Sequence, residues 1–259
     1  MKNRITDLFR SKKGEVLSVF YTAGFPSLND TVPIALNLEK AGADIIEIGI
    51  PFSDPVADGP TIQQSNKTAL DNGMNLRLLI EQVKEIRKQA KVPIILMGYL
   101  NPVMQYGVKE FVKDAALAGV DGLIIPDMPL YEYEEQYKDL FRAANLCNTF
   151  LISPTTSEDR IRRIDAVSDG FIYAVSASST TGAKGDFTSE QVDYFRRLQG
   201  MQLNNPFLIG FGISDRSTFS KASTYGAGAI VGSAFINLLK ESKDQKKDIE
   251  VFVKNLKGN

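Results

Sequence analysis

Two carboxylates eleven residues apart, Glu47 and Asp58, are the side chains of this sequence best suited by type and setting to move a proton. They bracket the stretch EIGIPFSDPVADGP, residues 47–60. Glu47 interrupts an apolar run, with Ile45, Ile46, Ile48 and Ile50 around it. A carboxyl desolvated in such a run has a raised pKa, which suits it to proton transfer near neutral pH. Asp58 follows on a proline-rich loop and reaches the same cavity if that loop folds over it. Two carboxyls in unlike surroundings can divide acid, base and electrostatic roles. Plainer alternatives stand beside this reading. Glu47 would be ordinary as one half of an ion pair with a nearby Lys or Arg, and Asp58-Gly59-Pro60 would be ordinary as a turn.

The rest of the composition narrows the chemistry. The 259 residues contain no histidine, which removes the commonest general base, the commonest metal ligand and every Ser-His or Cys-His pair. The single cysteine, Cys147, leaves no intrachain disulfide and fits a reducing, cytoplasmic setting. Thirty Lys and Arg face 31 Asp and Glu, so the charge balance calls for neither a nucleic acid nor an anionic membrane. The charged N-terminus, MKNRITDLFRSKKGE, has no apolar stretch of signal-peptide length, and no run approaches the roughly 20 residues of a membrane span.

The elements that must position these groups alternate regularly. Eight apolar runs have strand length: 16–22, 44–50, 93–99, 121–127, 148–153, 170–176, 206–212 and 228–234. They lack strict alternation, the pattern of parallel strands buried on both faces. Between them lie helical patterns at 28–41, 76–89, 108–117, 132–144, 158–167, 190–198 and 215–225, with a last one at 246–256. Ser27, Ser157, Ser189 and Ser214 are candidate N-caps. The repeats AGAD (41–44), AGVD (118–121) and YGAGA (225–229) suggest left-handed glycine C-caps ahead of the next strand. The Lys-rich KESKDQKKD (240–248) reads as a solvated helix junction. Eight strand–helix units in this length predict an α/β fold, a closed (β/α)8 TIM barrel. It is read as one domain over residues 1–259 with an extra N-terminal helix.

In such a barrel the chemistry sits at the C-terminal ends of the strands. Phe20, Tyr99, Ile124, Tyr173 and Phe211 fall there and describe an apolar pocket suited to an aromatic ligand. Thr181-Gly182, GFGIS (210–214) and VGSA (231–234) are candidate phosphate-binding segments, with tight turns as the alternative use of their glycines. No strand end carries a lysine, which disfavours a Schiff base. A metal would need an all-oxygen cage; Asp127 could contribute to one, but the other strand ends offer few oxygen ligands near it, so no metal site is expected. An acid between an aromatic pocket and a phosphate site suggests proton-driven carbon–carbon cleavage, in which the substrate's own ring takes up the proton.

EIGIPFSDPVADGPTIQ (47–63) closely resembles the signature of the tryptophan synthase α subunit family. TAGFP (22–26), LMGYLNPV (96–103), GVDGLIIPDMP (119–129), TTGA (180–183), GFGIS and VGSAF (231–235) match in order along essentially the whole chain. The resemblance implies a lyase that cleaves indole-3-glycerol phosphate to indole and glyceraldehyde 3-phosphate in tryptophan biosynthesis, without a metal. It implies Glu47 as the general acid/base and Asp58 as the carboxylate that holds the indole N–H. Phe20, Ile124 and Phe211 would form the indole pocket with Tyr99 and Tyr173 in its wall. Thr181, Gly182, Gly212, Gly232 and Ser233 would hold the phosphate. Asp54 and Pro55 would meet a β subunit in an α2β2 complex, and the pyridoxal phosphate would belong to that partner rather than to this chain. One departure stands out: many members carry an Arg before the Thr-Gly of the sixth loop, where this chain has Ala177 and Ser178.

Overall fold

A computed structural model describes residues 2–176 and 187–258. Nine parallel strand segments form one sheet: β1 Val16–Thr22, β2 Ile45–Gly49, β3 Ile94–Met97, β4 Gly122–Ile124, β5 Cys147–Thr149, β6 Leu151–Ile152, β7 Ile172–Val175, β8 Phe207–Gly210 and β9 Gly228–Val231. Their order is β5-β4-β3-β2-β1-β9-β8-β7-β6. The two end segments are successive pieces of one run, interrupted only by Phe150, so the ring closes through the chain itself. The eight apolar runs of the sequence thus become eight staves, the fifth in two pieces. One piece pairs with β4 and the other with β7.

Strand alternation sorts the apolar residues into two separate cores. Val16, Ile45, Ile95, Ile124, Cys147, Tyr173, Leu208 and Ile230 point inward and pack together inside the barrel. Their neighbours Leu17, Ile46, Ile94, Leu123, Ile172, Ile209 and Ala229 point outward and pack beneath the helices. Both faces are dry, which is why the runs read as continuous hydrophobic stretches.

The N-terminal helix Arg4–Ser11 closes the end where the strands begin. Ile5 and Phe9 enter the inner core. Gly122 and Gly170 make room: a Cβ on either would lie 2.8 and 2.9 Å from Ile5. Asn3 caps the helix and donates to the carbonyls of Asp121 and Asn145. The buried Asp121 carboxylate ties the floor together. It takes Arg4 Nη1 at 2.9 Å, Arg87 Nη2 at 3.0 Å and the amide of Ile94 at 2.9 Å.

The helices differ from the expected pattern in places with local causes. Glu158–Val167 matches, capped by Ser157. Asp30, Thr188 and Asp215 cap their helices where Ser27, Ser189 and Ser214 were expected. Gly42 and Gly119 are left-handed C-caps as the repeats suggest, but Gly226 is extended. Its hydrogen side chain serves a close approach instead, since a Cβ there would meet the Phe207 carbonyl at 2.8 Å. Helices Pro60–Asp71, Leu100–Tyr106 and Ser233–Glu241 were not expected from periodicity. The expected 132–144 helix runs from Leu130 to Ala143 through a π-helical turn at Tyr133–Tyr137. Residues 242–244 of the Lys-rich stretch join Ser233–Glu241 to Gln245–Lys257. No helix among the described residues is long and apolar enough to cross a membrane.

Removing the floor carboxylate leaves Arg87 half-buried without its partner. Asp121→Ala should therefore cost about 3 kcal/mol of unfolding free energy, read as a lower urea midpoint. A midpoint within error of the parent would show that the floor does not depend on this network.

Candidate active site

The inward register of β2 carries Ile45, Glu47 and Gly49, so Glu47 points into the barrel and is fully buried. Among the described residues no Lys or Arg pairs with it. Burial pushes its carboxyl up from 4.5 to about 7, with the hydroxyl of Ser18 acting in the opposite sense. Ser18 Oγ donates to Glu47 Oε1 at 2.5 Å. Oε2 has no hydrogen-bond partner among the described residues. Among the described residues Glu47 thus has a neutral donor, Ser18, in place of the ion pair that was the alternative. Phe20 is the strand partner of Glu47 on β1, and its ring leans over Gly49. A Cβ at position 49 would lie 2.6 Å from Phe20 Cζ. Gly49 is thus the space that the Phe20 ring needs.

Asp58 does stand in a turn, yet its carboxylate is used elsewhere. Its amide donates to the Pro55 carbonyl at 3.0 Å, and the helix Pro60–Asp71 starts behind it with Gly59 as N-cap. The Asp58 side chain does not cap that helix. It accepts a hydrogen bond from the Tyr99 hydroxyl at 3.2 Å, and that hydroxyl accepts from the amide of Ala57 at 3.0 Å. Burial raises the Asp58 carboxyl to about 6, partly offset by Tyr99. Burial and the Asp58 charge push the Tyr99 hydroxyl upward in turn. Tyr173, buried on β7, feels the charges of both Glu47 and Asp58. Its ring covers Gly210, where a Cβ would meet Cε2 at 2.2 Å.

A cavity of about 340 Å³ opens above these residues. Phe20, Tyr99 and Phe211 line it, and Asp58 is the one charged side chain among its described lining residues. Ile124 and Tyr173 belong to the inner core just below. Glu47 lies outside the lining, beside Phe20 and below Gly49. Ile62 and Asn66 of the helix Pro60–Asp71, and Ser153 and Thr155 after β6, complete the wall and were not singled out by sequence. The only signal available for Ser153 and Thr155 was their place directly after a strand end. Asp127 accepts from the amide of Leu100 at 2.9 Å and anchors the start of the helix Leu100–Tyr106. Among the described residues no group of three or more Cys, Asp and Glu could hold a metal ion.

The glycine segments lie on the paired strands β8 and β9 and differ in kind. Phe211 and Gly212 are both left-handed, at φ 70° and 76°. The helix that follows, Arg216–Tyr225, has its first turn satisfied by the Asp215 carboxylate. The helix Ser233–Glu241 starts straight from β9 with Gly232 as N-cap and no side-chain cap. Its positive end is the one left open to an anion. Thr181 and Gly182, with Ala177 and Ser178, lie outside the described residues. On the acidic loop Asp54 is exposed, Pro55 is buried, and Val56 is 87 % exposed.

Comparison with known proteins agrees over the full fold. A family profile described as tryptophan synthase alpha chain matches residues 7–258. The tryptophan synthase alpha chain of Flavobacterium psychrophilum is 53 % identical over 240 residues, 93 % of this chain and 94 % of its own. That of Parabacteroides distasonis is 50 % identical over 255 residues, 98 % and 99 % of the two chains. Among solved structures, tryptophan synthase subunit alpha from Legionella pneumophila superposes with a TM-score of 0.90 at 31 % identity, over 100 % of this chain and 98 % of its own.

Glu47 gives the fold a pH signature. Between pH 4.5 and about 7 the folded chain keeps a proton that the unfolded chain has lost. The stabilisation is complete below 4.5, falls as pH rises through that window, and is flat above it. The difference corresponds to about 3 kcal/mol. Urea midpoints of the parent and Glu47→Gln, measured from pH 4.5 to 8, should show the parent losing stability relative to the variant. Parallel curves would mean that Glu47 ionises in its ordinary range.

Proposed function

This chain belongs to the tryptophan synthase alpha chain family, and we propose on that premise that Glu47 and Asp58 are the two working carboxyls of its reaction. That reaction is the lyase cleavage of indole-3-glycerol phosphate to indole and glyceraldehyde 3-phosphate. The observation that carries the assignment is the pairing itself: one carboxylate in a cavity whose other described lining residues are uncharged, and a second carboxyl buried just below it with a pKa near neutrality.

The indole ring occupies the cavity against Phe20 and Phe211, with its N–H on the ionised Asp58. Glu47, protonated, gives its proton to ring carbon C3. Positive charge then grows on the ring nitrogen, where Asp58 stabilises it in a site largely closed to water. The ionised Glu47 next takes the proton of the side-chain hydroxyl adjacent to the ring. The C3–carbon bond breaks, its electrons return to the ring, and the hydroxyl carbon becomes the aldehyde. Glu47 ends protonated, as it began. The phosphate rests on Gly212, Gly232 and Ser233 at the open helix end. Tyr173 forms the wall behind both carboxyls, Tyr99 steadies Asp58, and Ile124 lies beneath the ring.

We further assign the partner face to the acidic loop, as the contact to a β subunit in an α2β2 assembly. Asp54 and Val56 are exposed there, and Met104 and Tyr131, on the segments after the next two strands, are 59 % and 63 % exposed. Pro55, being buried, would shape the loop rather than touch the partner. The described cavity lining has no lysine to carry pyridoxal phosphate as a Schiff base. We assign that cofactor to the partner because the family resemblance implies it.

Three measurements test this reading. Glu47→Gln should lower indole release at least a thousandfold while an uncleavable indole phosphate still binds; a fully active variant would remove Glu47 from the mechanism. For the parent, kcat/KM should rise through about pH 6 as Asp58 ionises and fall through about pH 7 as Glu47 does. A profile flat from pH 5 to 8 would contradict the division of roles. Val56→Asp should weaken association with the β chain at least tenfold in titration, and unchanged affinity would move the interface elsewhere.

A further inference from the structure

We propose that Ser18 is a positioning residue for the cleavage, holding Oε1 of Glu47 so that Oε2 is the oxygen that carries and delivers the proton. The inference rests on the reading that Glu47 transfers that proton.

The inward positions of β1 are Val16, Ser18 and Phe20. A hydroxyl between two hydrophobic residues, facing an inner core of isoleucines, has no packing advantage over a small apolar side chain. Ser18 is nevertheless fully buried, and the partner found for its hydroxyl is Glu47, at 2.5 Å. The strand register sets the direction of this contact. Phe20 pairs with Glu47, and Ser18 pairs with Ile45, one inward level deeper. The carboxyl is therefore gripped from its buried side.

The two oxygens are then inequivalent. Oε1 accepts a short hydrogen bond, which disfavours a proton on that oxygen. Oε2 has no partner among the described residues. In a protonated Glu47 the proton resides on Oε2, so Ser18 selects the delivering atom. It also fixes the rotation of the carboxyl plane, which decides whether that proton is aimed at a reacting carbon. After transfer the same hydrogen bond stabilises the carboxylate, keeping Glu47 a competent acid. Among the described residues the titratable group close enough to feel the Glu47 charge is Tyr173 from β7, which also feels that of Asp58 on the loop after β2. Neither replaces a missing donor: among the described residues Oε2 of Glu47 has no partner and Oε1 has Ser18, and Asp58 is itself an acceptor from Tyr99.

The test is the pH profile of indole release by the purified full chain, for the parent, Ser18→Ala, Ser18→Thr and Glu47→Gln. Ser18→Ala should move the alkaline limb of kcat/KM upward by about one pH unit. It should lower kcat roughly tenfold with little change in KM, while Asp58's acidic limb stays in place. Ser18→Thr keeps the hydroxyl and should restore the parent profile. A Ser18→Ala profile that superimposes on the parent, or a Ser18→Thr variant that binds the uncleavable indole phosphate normally yet behaves like Ser18→Ala, would overturn the proposal. Activity persisting in Glu47→Gln would instead overturn the reading beneath it, so the two failures are distinguishable.

Discussion

Glu47 is placed where water does not reach, and among the described residues the hydrogen bond it receives in exchange is a neutral one, from Ser18. A carboxyl so desolvated stays protonated near neutral pH unless something charged holds it. Most of the architecture can be read as the means of keeping that environment. Strand alternation turns Glu47 inward together with Ile45 and Gly49. Closure of the ring through Phe150 denies the interior an open edge. Ile5 and Phe9 seal the floor, and the Phe20 ring leans over Gly49 on the side of the cavity. Loosening any of these would admit water and return the carboxyl toward its ordinary range.

The eight strands were legible because parallel strands buried on both faces leave long apolar runs. Glu47 was legible for the complementary reason: an acid inside such a run conflicts with its local setting, and such conflicts concentrate where function lies. What the runs could not reveal was which residues faced inward, since both faces are hydrophobic. The division of the sheet into inner and outer cores needed the three-dimensional register. The helix Pro60–Asp71 was missed because it buries Ser65, Asn66 and Ala69 rather than an apolar stripe. Leu100–Tyr106 was hidden by the proline in its first turn, and Ser233–Glu241 by overlap with the strand-like VGSA. N-caps slipped by one residue at Thr188 and Asp215 because adjacent Ser, Thr and Asp compete for the same role, and the local geometry chooses among them. Asp127, at a strand end, has a structural use that its position did not reveal: it anchors a helix start.

The two glycine segments show how one residue type serves distinct ends. At Phe211-Gly212 the backbone turns left-handed twice, and Phe211 bears a steric strain of roughly 1–2 kcal/mol there. The strand's exit is thereby redirected, and Phe211 is brought to the cavity. At Gly232 the absence of a side-chain cap leaves the N–H groups of the next helix available. Asp215 cancels that same opportunity on the neighbouring helix. An anion at the end of β8 and β9 therefore has one helix terminus to use, and it lies beside the aromatic pocket rather than beneath it.

The two carboxyls are raised by different parts of the molecule, and this gives them different susceptibilities. Glu47 is desolvated by the barrel interior, whose inner core is fixed by eight staves and a plugged floor. Asp58 is desolvated by a loop, and its one side-chain partner, Tyr99, is shared with the Ala57 amide of that same loop. The exposed Asp54 and Val56 lie within four residues of Asp58. A protein docking on them presses on the segment that sets the hydration of Asp58, while the strand that sets Glu47 lies out of direct reach. Control by a protein docked on this loop would therefore act first on Asp58, and on Glu47 only through the strand that holds it.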